Sequence, residues 1–133
     1  MTIQLELPRD LESAAAARHA VDGLGAKLGD DQLGDVRLLV SELVTNSLRH
    51  AEMDEAGSIW LTVDVRDSIV RVEVRDPGKG FDPPPNPSDP EKAQGWGLYL
   101  VSTLADRWGV ERGDVTTVWF ELDRPPGSNS LAA

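Results

Sequence analysis

Apolar and polar residues alternate from the start of the chain: Ile3, Leu5 and Leu7 are interleaved with Thr2, Gln4 and Glu6, which predicts a half-buried strand closed by Pro8. Asp10 can then cap an alanine-rich helix running to about Lys27, weakened near its end by Gly23 and Gly25. The period changes again after Asp30 and Asp31. Leu33, Val36, Val40, Leu43, Val44 and Ser47 share one helical face, so a second helix capped by one of these aspartates runs to about Ala51. "SIWLTVDVR" and "IVRVEVRD" read as two strands of a hairpin turning at Asp67-Ser68. A loop rich in glycine and proline follows, then an apolar helix "LYLVSTLADRW" and a final strand "VTTVWFEL". Trp119, in that strand, reads as a core residue.

Strands of alternating polarity have one face to bury, and helices must cover it. The predicted class is therefore α/β, a two-layer sandwich with a mixed, mainly antiparallel sheet. Residues 1–123 form one domain, since 133 residues support a single core. Residues 124–133 carry no core-forming pattern and read as a disordered tail.

Composition narrows the chemistry. Cysteine is absent, which excludes disulfides, thiolate zinc sites and thiol nucleophiles and agrees with a cytoplasmic location. No apolar run approaches membrane-spanning length, and no signal peptide opens the chain. A formal charge of −10 argues against direct nucleic-acid binding. A phosphate ligand would need backbone donors and a metal ion.

Three short stretches carry candidate chemistry. Glu42 and Asn46 lie four residues apart, hence on one side of the second helix and off its apolar stripe. A carboxylate beside an amide oxygen suits a base and a ligand for magnesium, although the spacing is also common on solvated helix faces. In "DPGKGF", Asp76 ends a strand and could accept a hydrogen bond from an exocyclic amine, while Gly78 and Gly80 allow close approach to the backbone; a plain surface turn would read the same way. In "GWGLYLV", Gly95 and Gly97 lead into a helix whose free N–H groups could meet an anion, or could simply be a hinge into a core helix. Between them, Pro83, Pro84, Pro85, Pro87 and Pro90 stiffen a segment bounded by glycines, the makings of a lid.

Taken in order, "SELVTNSLRHA", "DPGKGFDP", "GWGLYLVSTLADRWGV" and "TTVWFEL" resemble the asparagine box, the two glycine boxes and the last strand of the GHKL (Bergerat-fold) ATPases, over about Leu5 to Leu122. The wording of the boxes is similar to that of bacterial anti-sigma factor serine/threonine kinases. The resemblance implies that Asn46 binds Mg2+ and that Glu42 is the base toward an attacking hydroxyl. It implies that Asp76 meets the adenine amine of ATP, that Gly80 shapes the adenine wall with Gly78 also in the cofactor site, and that Thr117 makes a second adenine contact. Gly95, Gly97 and Leu98 would offer N–H groups to the phosphates. The implied partners are a sigma factor and a STAS-domain anti-anti-sigma protein, with a homodimer also compatible.

The chain departs from that pattern at two cations. Ala93 stands where some well-known anti-sigma kinases carry a lid arginine, with Lys92 beside it as an imperfect substitute, and Trp96 stands where related sequences often have arginine. A nucleotide-gated binding module with little transfer is thus the alternative to a kinase. A detached histidine kinase domain fits less well, since no helix bearing an acceptor histidine accompanies the boxes. His50 at a helix end and His19 on a helix surface read as structural residues.

Overall fold

The computed structural model describes residues 1–8, 10, 12–50, 58–76 and 96–124. They form β1 (Thr2–Leu7), α1 (Ser13–Asp22), α2 (Asp30–His50), β2 (Ile59–Val65), β3 (Ile69–Asp76), α3 (Trp96–Leu104), β4 (Arg107–Arg112) and β5 (Thr116–Asp123). The sheet order is β1-β2-β3-β5-β4, and every pairing among these strands is antiparallel.

Strand alternation decides which side chains meet the helices. Leu7, Ile59, Leu61, Val63, Val70, Val72, Val74, Val118, Phe120 and Leu122 point inward, where they join Val36, Leu39, Val40, Leu43 and Val44 of α2 and Val101 of α3 in one core. This is the expected sandwich. The outer face carries paired charges: Arg71 donates to Glu121 at 2.9 Å and to Glu73 at 3.0 Å, and Arg107 donates to Glu121 at 2.8 Å. Trp119 belongs to this outer face and not to the core. It is half-buried beneath Arg71, whose Cζ lies 4.5 Å from the ring centroid. Opposite it sits Gly109, where a Cβ would come within 2.8 Å of the indole Nε1.

Several boundaries differ from expectation. Helix α1 stops at Asp22, short of Lys27, because the chain tightens at Gly23: Gly23 N–H donates to Ala20, Leu24 to Val21 and Lys27 to Leu24, all three residues back. Those turns bury Leu24 and Leu28. Asp10 does not cap α1: the N-cap is Glu12, which has no side-chain cap, and Asp10 instead closes a turn ahead of the helix, its Oδ1 accepting the Glu12 N–H at 2.9 Å. Asp30 and Asp31 lie within the first turn of α2, where carboxylates meet the positive end of the helix dipole. Helix α3 ends at Leu104, and Arg107 and Trp108, expected to be helical, begin β4, where Trp108 packs on the core. Arg124, assigned to the tail, is buried; its N–H donates to Ser68 at 2.9 Å and its Nη2 to the Lys27 carbonyl at 2.7 Å. Residues 125–133 lie outside the described residues.

Candidate functional site

Helix α2 packs on α1, on β3 and on α3. The helix carrying Glu42 and Asn46, the strand ending at Asp76 and the helix starting at Trp96 are therefore brought together. Glu42 is half-buried. Asn46 was expected off the apolar stripe, but it is 1% exposed. The spacing explains the difference, since Leu39, Leu43 and Asn46 follow one another at four and three residues and so continue one buried row.

A buried amide must normally be satisfied. The Nδ2 of Asn46 has no hydrogen-bond partner among the described residues. An unmatched buried donor costs about 1–3 kcal/mol. Asn46 lies one helical turn from the half-buried Glu42. Among the described residues no three His, Asp or Glu side chains cluster as a metal cage. The unmatched Nδ2 is an N–H donor and suits an acceptor such as a phosphate oxygen, whereas the Oδ1 of the same amide is the atom that would ligate a magnesium ion, a cation that takes few protein oxygens and keeps several waters.

Asp76 is the last residue of β3 and 7% exposed. Its cross-strand partner is Thr116, itself 3% exposed. Because Val118, Phe120 and Leu122 point inward, Thr116 shares their side of the sheet, and Thr117 points the other way, between Arg75 and Glu111. The hydroxyl on the face of Asp76 is thus that of Thr116. Period-two counting back from Phe120 was the signal that finds it. Gly97 and Leu98 lie in the first turn of α3. Gly78, Gly80, Lys92, Ala93 and Gly95, with the expected lid, lie outside the described residues. His19 is exposed on α1, as expected. No helix among the described residues is long and apolar enough to cross a membrane.

A sequence profile of the histidine kinase-like ATPase domain matches residues 7–122. The serine-protein kinase RsbW of Bacillus velezensis is 29% identical over 130 residues, 87% of this chain and 81% of that protein. An anti-sigma F factor of Clostridium botulinum is 34% identical over 119 residues, 82% of this chain and 83% of that protein. Among solved structures, the RsbU and RsbW domains of a Mycobacterium tuberculosis protein superpose with a TM-score of 0.72 at 20% identity, covering 94% of this chain and 33% of that one. The histidine kinase domain of a blue-light activated kinase from Erythrobacter litoralis gives 0.61 at 28% identity, over 91% and 62%.

Proposed function

Because this chain belongs to the histidine kinase-like ATPase family, we propose that it is a magnesium- and ATP-dependent serine/threonine protein kinase of the anti-sigma type. It binds a sigma factor and phosphorylates a STAS-domain antagonist, switching partners in the cytoplasm. The names of its relatives, a serine-protein kinase and an anti-sigma factor, support the class. The observation that carries the reading is the buried Asn46 amide, unmatched at Nδ2 and one helical turn from Glu42.

Each part of the site has a task. Asp76 accepts from the adenine amine, and Thr116, its inward-facing neighbour, takes the second adenine contact in place of Thr117. Gly78 and Gly80 form the adenine wall, and Gly95, Gly97, Leu98 and Lys92 face the phosphates. Asn46 would hold magnesium through its amide oxygen, and the ion, when bound, would supply positive charge to the triphosphate. Glu42 takes the proton of the acceptor serine as its oxygen attacks the γ-phosphorus. The bond between that phosphorus and the bridging oxygen breaks, and ADP leaves.

Replacing Glu42 by Gln tests this. Nucleotide binding should persist, while transfer to a STAS-domain protein falls by about a hundredfold or more. Ala93 and Trp96, neutral residues where the resemblance to anti-sigma kinases leads one to expect cations, favour the second reading, a nucleotide-gated binding module. Partner binding that depends on ATP, with no phosphorylation by the wild type, would establish that reading instead.

A further inference from the structure

We infer that Arg18 is a positioning residue for Glu42, acting through Ser41 on the turn of α2 that carries both Glu42 and Asn46; the inference rests on the kinase reading above. Among the described residues, two polar ties join α1 to α2. Asp22 and Arg37 form an exposed ion pair at 3.3 Å, the kind that contributes little. The other tie is half-buried: Arg18 Nη1 donates to Ser41 Oγ at 2.9 Å. This chain has 23 acidic and 13 basic side chains, yet Arg18 has no carboxylate partner among the described residues. A guanidinium spent on one hydroxyl, between two helices, acts as a brace.

What it braces is the turn at residues 41–45. The Ser41 carbonyl accepts from Thr45 Oγ1 at 2.7 Å, the back-bonding that competes with the helix ladder and bends helices. Glu42 lies within that turn, its half-buried side chain carried by that backbone. The aim of the carboxylate therefore follows the backbone at 41–45. Leu43 and Val44 hold that backbone on the core side. Arg18 holds it on the side of α1. Small misplacements of a reacting group are costly, on the order of a hundredfold for 1 Å.

The test uses the full chain with ATP, magnesium and a STAS-domain protein carrying an acceptor serine. Arg18→Ala and Ser41→Ala should each lower kcat by about tenfold or more at nearly constant KM for both substrates. The double variant should be no worse than either single one, because the two residues act as one unit. Arg18→Lys should recover part of the rate, and Asp22→Ala, which cuts only the exposed tie, should match the wild type. A raised KM for the protein substrate in Arg18→Ala, with Ser41→Ala silent, would overturn the inference and make Arg18 a docking contact. Additive losses that track a lowered Tm would overturn it in favour of helix packing. Wild-type rates in both single variants would remove the positioning role alone. Absence of transfer by the wild type would remove the kinase reading and the inference with it.

Discussion

Asp76 and Thr116 stand directly opposite each other across the β3–β5 pairing, both buried and both on the helix-covered side of the sheet. Thr117 faces away from them. Thr116→Val should therefore weaken ATP and ADP binding by about tenfold, and Thr117→Val should leave it nearly unchanged. Asp76→Asn should weaken it at least as much, because the amide can turn a donor toward the adenine amine. Calorimetric titration of the three variants measures this directly, and wild-type affinity in both Thr116→Val and Asp76→Asn would remove the adenine role from this face.

Asn46 sets stability against function. Asn46→Leu fills the same buried space and removes an unmatched donor worth about 1–3 kcal/mol, so the nucleotide-free protein should melt a few degrees higher. The same variant should lose magnesium-dependent ATP binding. A lower Tm together with unchanged binding would show that the amide serves the fold.

Gly109 faces an indole at a distance no side chain can share. A Cβ there would lie 2.8 Å from Nε1 and 2.9 Å from Cε2 of Trp119. Gly109→Ala should cost about 1–3 kcal/mol through forced movement of Trp119, and it should disturb the stacking of Arg71. Adding Trp119→Leu should recover part of the loss. Denaturant titration of the single and double variants checks the coupling.

Acid should loosen the outer face. Hydrogen bonds from Arg107 and Arg71 hold the Glu121 carboxyl below its ordinary value of 4.5. A carboxylate with a depressed folded pKa stabilises the protein fully above its ordinary value, and that stability is lost as pH falls through the folded value. Stability should thus decline below about pH 4.5. Arg107→Ala should lower stability at neutral pH and flatten this decline, as read from urea midpoints between about pH 5 and about pH 3.

The alternation of Ile3, Leu5 and Leu7, the hairpin at Asp67-Ser68 and the inward row of α2 were legible in the sequence because each is a local period set by one buried face. The same periods misplace residues where two elements share an apolar run. "LYLVSTLADRW" has helical spacing throughout, and only pairing with β5 turns Arg107 and Trp108 into strand. Trp119 is large and apolar, so composition assigns it to the core, whereas parity with Phe120 puts it under Arg71. Asn46 is polar, so pattern reading places it outside, and its burial comes from the neighbours that α2 acquires only in three dimensions.

The strand order also dictates when the site can exist. Hairpin β2–β3 and hairpin β4–β5 are each local, but the ladder joining β3 to β5 links residues from 40 positions apart at Asp76↔Thr116 to 54 at Ile69↔Asp123. Such long-range closure is the slow part of assembling a sheet. Asp76 and Thr116 sit at one end of that seam, so a half-assembled chain holds each residue but not the pair. With the adenine role proposed for this pair, capture of a nucleotide would be a checkpoint on completed folding: only molecules that have zipped the two hairpins together would be eligible for it, and a bound nucleotide would keep them zipped.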